Sequence, residues 1–440
     1  MSELDKNKSN NIKPLKIAVA GVGTVGTSVI KLILSKQALL AKRAGRPLMV
    51  TDISVKNIKK PRDFDQSTMV LWGDAAEMAR SADYDILVEL IGGSQGVALD
   101  ITKIALGRGR GVVTANKAML AHHGADLAVL AQQHGAALEF EAAVAAAIPI
   151  VKLIKTGLTA NSITQICGIL NGTCNYILSE MRNKQLDFEQ VLADAQAKGY
   201  AEADPGFDID GVDAAHKLSL LSSLAFGVKP DFNAVSTQGV RLITDKDIAF
   251  AGELGCCIKL LGIAKINEQG EISQQVAPFM VSLDDPIAAV DGVLNAVEVK
   301  GDFSSSILCE GPGAGGDATA SAVVADIIDI AANRAGDSFG IPASDLGNLI
   351  PLSHDAIEAS WYIRLTVTDQ PGVVADIADI LRNHNISMSS LIQHGKGAQT
   401  LVSLVILTHD AVAKAIDSAM TQINALPCVS EKAFLMQMFK

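Results

Sequence analysis

The sequence predicts an α/β protein of three parts, and three observations predict it. Residues 14–150 alternate short apolar runs with helical periodicity, and the first run ends in a glycine turn. Residues 151–333 mix helical stretches with strand-like runs in an α+β pattern. Residues 359–440 follow the order βαββαβ, a ferredoxin-like arrangement.

In the first part KIAVAGVG (16–23) reads as a buried strand and Thr24–Leu40 as a helix. PLMVTDISV (47–55) and YDILVELIGG (84–93) follow as strands, then a helix at Ile101–Gly107. GVVTANK (111–117) reads as strand and HHGADLAVLAQQHG (122–135) as helix. Such alternation implies a parallel sheet with right-handed crossovers, a Rossmann-type domain over 14–150. The polar residues 1–13 read as a disordered tail.

In the second part Phe188–Lys198 and Asp213–Phe226 are helical. Runs 274–283 and 296–303 are strand-like, and a glycine loop opens a helix within 311–330. Residues 311–333 are expected to pack back on the Rossmann domain, and the Gly-, Pro- and Ser-rich stretch 334–358 to form a linker. In the last part strands are expected at 361–369, 386–395, 400–409 and 429–439, with helices at 372–385 and 411–426.

Composition narrows the function. Lys+Arg 37 against Asp+Glu 48 gives a net charge of −11, which argues against a general nucleic-acid binder. The longest apolar stretch, Ala142–Val151, is too short to span a membrane, and the N-terminus has no apolar signal region. Six cysteines without a C-x-x-C pair fit reduced thiols and a cytoplasmic location. The histidines show no zinc spacing.

Gly21-Val22-Gly23-Thr24-Val25-Gly26 fits G-x-G-x-x-G between a strand and a helix. Gly21 suits the tight turn, Gly23 the approach of a pyrophosphate, and Gly26 close helix–strand packing. The bland alternative is a plain structural turn. The second strand ends Ser54-Val55-Lys56, followed by Asn57, Lys59, Lys60 and Arg62, with no carboxylate until Asp63. A 2′-phosphate suits such a loop, with Lys56 foremost, so NADP is favoured and NAD stays open; a solvated basic loop is the alternative.

Four further segments concentrate polar groups. Gly92, Gly93 and Ser94 follow Glu89 at the C-terminal end of a strand, where open α/β sheets bind ligands. Thr114 and Asn116 precede Lys117 at the next strand end, where a lysine can hold a carboxylate, donate a proton or simply face solvent. In GYAEADPGFDIDGVDAAHK (199–217), Asp213 and Lys217 are four apart and share a helix face. They form either a surface ion pair or, on a partly buried face, a desolvated lysine able to act as an acid. Glu202 and Asp208 in the preceding loop can hold an amino group. In GILNGTCNY (168–176), Asn-Gly signals a turn, and Cys174 reads as a buried thiol more than a nucleophile.

Taken together these segments resemble homoserine dehydrogenase. The match runs from about residue 14 through GVGTVG (21–26), ELIGG (89–93), TANK (114–117), FEAAVAAAIPI (140–150), GILNGTCNYIL (168–178), GYAEADPGFDIDGVDAAHKL (199–218) and GPGAGGDATASAVVADI (311–327). The last part resembles an ACT domain, with Asp369-Gln370-Pro371-Gly372-Val373 in place of its D-x-P-G turn. The resemblance implies NAD(P)-dependent interconversion of L-homoserine and L-aspartate 4-semialdehyde, on the route to threonine, methionine and isoleucine. It implies Lys217 as proton donor and Lys117 as a second essential lysine near substrate and nicotinamide. Glu202, Asp208, Asp213, Gly199 and Thr173 are implied at the substrate, and Gly315 joins Gly21, Gly23, Thr24, Val25, Gly26, Lys56, Gly92, Gly93, Ser94, Thr114, Asn116 and Lys117 at the cofactor.

Glu141, Val144, Ala146 and Ile148 fall where the family can bind sodium, largely through carbonyls. The family often has glycines in that loop; here it reads Ala145-Ala146-Ala147, and carbonyl ligation survives such a change only where φ stays negative. The resemblance also implies a homodimer or homotetramer and a small amino-acid effector, threonine by pathway logic. Two other readings stay open: another amino-acid semialdehyde dehydrogenase, and a non-catalytic nucleotide and amino-acid sensor.

Overall fold

The computed structural model describes residues 13–394 and 401–440. Residues 1–12 of the expected tail therefore lie outside the described residues, as do the end of the strand expected at 386–395 and the start of that at 400–409. The chain packs as two units. The first comprises the chain up to Ile166, Ala215–Ala234 and Asn295–Leu349; the second comprises Cys167–Ala214, Val235–Leu294 and Ile350–Lys440.

The first unit opens β1 (Leu15–Ala20), α1 (Thr24–Ser35), α2 (Gln37–Ala44), β2 (Leu48–Ser54), β3 (Val70–Trp72) and α3 (Ala75–Ser81). It continues β4 (Ile86–Glu89), α4 (Val97–Gly107), β5 (Gly111–Thr114), α5 (Lys117–Gln133) and β6 (Leu138–Glu139). The six strands lie in the order β3-β2-β1-β4-β5-β6, all parallel. The chain thus leaves β1 for one side of the sheet and crosses to β4 on the other, which makes the C-terminal end of β1 a topological switch point. Ile17, Val19, Val29, Ile30 and Ile33 form its core together with Val323 and Ile327 of the helix Gly316–Ala331.

Two departures from the sequence expectation have a plain local cause. The helix expected over Thr24–Leu40 divides at Lys36, whose backbone (φ −118, ψ 26) leaves the helical region. The strand expected through 117 stops at Thr114, because the Asn116 side chain accepts the Met119 N–H at 3.0 Å and caps α5.

The helices α6 (Gly172–Lys184) and α7 (Phe188–Ala197) belong to the second unit, and α8 (Val212–Phe226) crosses the division. Then come α9 (Asp245–Glu253), β7 (Cys256–Ile266), β8 (Ile272–Ser282), β9 (Trp361–Thr368), α10 (Val373–Asn383), β10 (Met388–His394), β11 (Leu401–Thr408), α11 (Ala413–Ile423) and β12 (Phe434–Met438). These strands run in the order β7-β8-β12-β9-β11-β10. β12 pairs parallel with β8 through Phe279–Gln437 and Met280–Met438, and antiparallel with β9. The βαββαβ order expected for the last part is present, with Ile377, Leu381, Ile416 and Ile423 of its helices packed on Ile363, Leu365, Leu404 and Ile406.

A buried polar knot fixes α6. Asn175 Nδ2 donates to the carbonyls of Val290 at 3.1 Å and Leu294 at 3.2 Å. Lys259, only 1% exposed, donates to Asn175 Oδ1, the Val290 carbonyl and Asp291 at 3.2, 2.6 and 2.9 Å. All three of its protons are therefore satisfied, as a buried ammonium requires.

Candidate active site

At the end of β1 the chain turns through Gly21, whose φ is +96. A Cβ on Gly21 would stand 2.5 Å from the Leu90 carbonyl oxygen, and one on Gly26 would stand 2.1 Å from the Gly21 carbonyl oxygen. The fold itself demands these two glycines. Gly23 differs, since a Cβ there meets no protein atom within 4 Å. The backbone at Gly23 is therefore open to approach from outside the chain. Gly23 is also the N-cap of α1, whose first turn holds no acid to compete with an anion. Gly23→Ala is expected to leave the thermal midpoint unchanged and to weaken NADPH binding at least about ten-fold, ~1.4 kcal/mol. Gly26→Ala is expected to destabilise the fold by about 1–3 kcal/mol. A fluorescence titration beside a melt checks both, and unchanged affinity in Gly23→Ala would sink the first.

Around this turn lies a cavity of about 1050 Å³, lined by Gly21, Gly23, Ser54, Lys56, Lys60 and Arg62 among others. Asp52 does not reach into it, because its Oδ1 accepts the Trp72 indole N–H at 2.8 Å and the residue is buried. Asp63, also in the lining, pairs with Lys31, which holds its carboxyl below the usual range. The wall at the end of β2 is thus positive, in a cavity of a size and place that suit a nicotinamide dinucleotide.

A chain of buried hydrogen bonds joins the next two strand ends. Glu89 is fully buried; its Oε1 accepts the N–H groups of Ile91 and Gly92 at 2.7 and 3.1 Å, and its Oε2 accepts the Thr114 hydroxyl at 2.6 Å. The Asn116 N–H donates to the Thr114 hydroxyl at 3.0 Å, and Asn116 Nδ2 donates to the Gly93 carbonyl at 2.8 Å. Gly92 and Gly93 take φ of +86 and +89. The side chains of Thr114 and Asn116 therefore set the loop and the first residue of α5, Lys117. Ser94 is half-buried beside them. Gly315, with φ +115, caps the helix Gly316–Ala331, and a Cβ on Gly316 would stand 2.9 Å from Ser28 Oγ of α1.

The acidic loop of the second unit divides its labour. Asp210 forms a two-pronged pair with Arg241 at 2.5 and 3.0 Å, which lowers its pKa. Asp204 accepts the Gly206 N–H and shapes the turn. Asp208 and Asp213 converge, each accepting a proton of the Asn171 side-chain amide at 2.9 Å. Thr173 Oγ1 lies 2.8 Å from the Tyr200 carbonyl and 3.3 Å from Asp208 Oδ2. Gly199, with φ +74, ends α7. Glu202 is exposed on the loop. Asp213 and Lys217, one turn apart on α8, are 5% and 8% exposed, so this is no surface ion pair.

Asn171 was not among the site residues expected from sequence, and its Asn-Gly pair reads there as a turn. In the structure Asn171 is the N-cap of α6, accepting the Cys174 N–H at 2.8 Å. A polar residue opening an apolar helical run is the signal that finds it. Cys174 is buried, with its Sγ 3.4 Å from the Asp208 carbonyl. Desolvation first, then the nearby Asp208 and Asp213, pushes its thiol well above the ordinary range, which disfavours a thiolate nucleophile.

At the expected cation loop, Ala146 has φ +46. The condition that φ stay negative is not met. Alanine is instead held in the left-handed conformation that glycine would take, at a cost of about 1–2 kcal/mol. Both Glu141 carboxylate oxygens accept N–H groups, of Val151 at 2.8 Å and Lys152 at 2.9 Å, and its main-chain carbonyl accepts the Val144 N–H at 3.5 Å. Val144, Ala146 and Ile148 are buried, and the Ile148 carbonyl accepts the Ile150 N–H at 2.8 Å. Burial pushes Glu139 and Glu141 up to about 7.

A glycine cradle at the switch point of a parallel sheet, with a ferredoxin-like unit further along the chain, defines a nicotinamide-dependent dehydrogenase with an appended C-terminal module. Family models match accordingly: "Homoserine dehydrogenase, NAD binding domain" over residues 21–141, "Homoserine dehydrogenase" over 149–328 and "ACT domain" over 361–428. The homoserine dehydrogenase of Neisseria gonorrhoeae is 41% identical over 97% of this chain and 99% of its own. That of Pseudomonas aeruginosa is 40% identical over 95% of this chain and 97% of its own. The crystal structure of a homoserine dehydrogenase from Thiobacillus denitrificans superposes with a TM-score of 0.92 at 39% identity, covering 98% of this chain and 99% of that one. A hyperthermophilic archaeal homoserine dehydrogenase in complex with NADPH gives 0.61 at 28% identity, covering 72% and 97%. The chain belongs to the homoserine dehydrogenase family, and it is an NAD(P)-dependent oxidoreductase with a C-terminal ACT domain. Among the described residues no helix is long and apolar enough to cross a membrane.

Proposed function

We propose that the protein interconverts L-aspartate 4-semialdehyde and L-homoserine with NADP as preferred cofactor, on the route to threonine, methionine and isoleucine. The observation that carries the substrate side is the meeting of Asp208 and Asp213 on one Asn171 amide. Both carboxylates are acceptors, and the ammonium group of the amino-acid substrate is a donor that suits them. Gly199, Thr173 and Glu202 complete that subsite.

Lys217, one turn from Asp213, protonates the carbonyl oxygen as charge develops there, and takes the hydroxyl proton in reverse. Lys117, at the first turn of α5, orients the same end of the substrate. Reduced nicotinamide, when bound, supplies the hydride to the aldehyde carbon. Gly21, Gly23, Thr24, Val25 and Gly26 hold its pyrophosphate, Lys56 its 2′-phosphate, and Gly92, Gly93, Ser94, Thr114, Asn116, Lys117 and Gly315 its nicotinamide half. Carbonyls of Glu141, Val144, Ala146 and Ile148 are the donors that would hold a sodium ion, and the positive φ of Ala146 counts against that site. The domains run 14–150, 151–333 and 359–440, and the enzyme works in the cytoplasm as a homodimer or homotetramer with threonine as effector.

One set of assays tests this. Consumption of reduced cofactor with aspartate semialdehyde should be faster with NADPH than with NADH at limiting concentration, and Lys56→Ala should erase about ten-fold of that preference, ~1.4 kcal/mol. Threonine should inhibit the full chain. No turnover with either cofactor overturns the substrate reading, and an NADH preference overturns the role of the basic loop.

A further inference from the structure

Three rings in the first unit join the two helices that carry the proposed active lysines. His216, immediately before Lys217 on α8, stacks on Phe232 with ring centroids 4.2 Å apart and planes 7° from parallel. His122 of α5 meets both edge-on, 5.5 Å from His216 and 5.2 Å from Phe232. His216 is buried, Phe232 half-buried and His122 exposed.

Phe232 is itself firmly seated. The loop after α8 turns at Gly227, with φ +64, and Ser223 Oγ donates to the Val228 carbonyl at 2.5 Å. Lys229 and Gly347 bind the same loop through two main-chain hydrogen bonds, Lys229 N–H to Gly347 at 2.8 Å and Gly347 N–H to Gly227 at 2.9 Å. Asp231 Oδ1 then accepts the Asn233 N–H at 3.0 Å. On the other side α5 approaches so closely at Gly124 that a Cβ there would stand 3.1 Å from the Phe339 ring and 3.6 Å from Pro230.

We infer that Phe232 and His122 form an aromatic clamp on His216 that fixes Lys217 of α8 relative to Lys117 of α5. The three are positioning residues. None is needed to build the dinucleotide cavity, whose lining runs from Gly21 to Val97. A lysine that must meet a reacting oxygen loses rate steeply with small displacement; a shift of about 1 Å can cost about 10²-fold. An aliphatic side chain at 232 would fill space but not hold the ring plane of His216. This inference rests on the assignment of Lys217 as proton donor.

The test compares Phe232→Ala, Phe232→Tyr, His122→Ala and Lys217→Ala in the full chain, with kcat, KM for each substrate, NADPH affinity and thermal midpoint measured for each. Phe232→Ala is expected to lose about 10- to 100-fold in kcat with NADPH affinity unchanged. Phe232→Tyr, which keeps the ring, is expected to restore kcat to near wild type. His122→Ala, at an exposed position where folding is not at stake, is expected to lose kcat several-fold with no change in midpoint. If Lys217→Ala is inactive while Phe232→Ala and His122→Ala turn over as wild type, the clamp is overturned and the lysine assignment stands. If Phe232→Tyr loses as much as Phe232→Ala, the ring is not what matters and the clamp is again overturned. If Lys217→Ala keeps wild-type turnover, the assignment beneath fails, and the clamp with it.

Discussion

Replacing Lys217 with alanine is expected to lower turnover by about 10²- to 10⁴-fold while leaving NADPH affinity within a factor of two. The first half follows from its place on α8. Lys217 is 8% exposed and stands one turn after Asp213, whose carboxylate is fixed by the Asn171 amide at 2.9 Å. A positioned donor in so dry a setting is replaced poorly by water. The second half follows from the cavity around the glycine turn and the basic loop, to which α8 contributes no residue. Steady-state kinetics beside a cofactor titration checks both. A variant with turnover near wild type would remove Lys217 from the chemistry, and one that lost cofactor affinity in proportion would make it a binding residue instead.

The largest expected effect on stability is at Asp247. This carboxylate, fully buried at the start of α9, accepts the Tyr362 hydroxyl at 2.8 Å and Arg364 Nε at 2.7 Å. It also accepts the Thr244 N–H at 2.9 Å and hydroxyl at 2.8 Å, closing a capping box. Tyr362 is itself fully buried, and burial and then the Asp247 charge raise its hydroxyl far above its ordinary range. Asp247→Ala would strand the Arg364 guanidinium, which is 13% exposed, and uncap the helix together. The expected loss is about 3–5 kcal/mol, read as a lower urea midpoint. A loss under about 1 kcal/mol would mean that water reaches Arg364 and that the pair contributes little.

Much of this was legible from sequence because it is local. The G-x-G-x-x-G turn, the polar groups that follow the strands after Glu89 and Thr114 and the alternation in β9 depend on neighbours within a few residues. What escaped is what depends on distant partners or on ambiguous runs. β7 is buried continuously from Cys256 to Ala264, so it shows no alternation, and such a run reads equally as helix. Lys259 within it looks like a surface residue until Asp291 and Val290 come beside it. Asp247 and Arg364 are 117 residues apart, and nothing in either neighbourhood announces the other. Ala146 shows the converse: the alanine is visible in the sequence, but only the structure reveals its left-handed backbone, with φ +46.

β12 adds a constraint on synthesis. It lies between β8 and β9, yet it is made after both. While the ribosome is still adding residues before Phe434, β8 and β9 each present an unpaired edge, the kind of edge that recruits other strands. The sheet of the second unit cannot close until residues 434–438 emerge. A chain cut short by a premature stop in its last few codons would carry every group discussed in the chemistry and still display two open edges. Quality control could therefore sort complete from incomplete copies by their stickiness alone, before any catalytic residue is called upon.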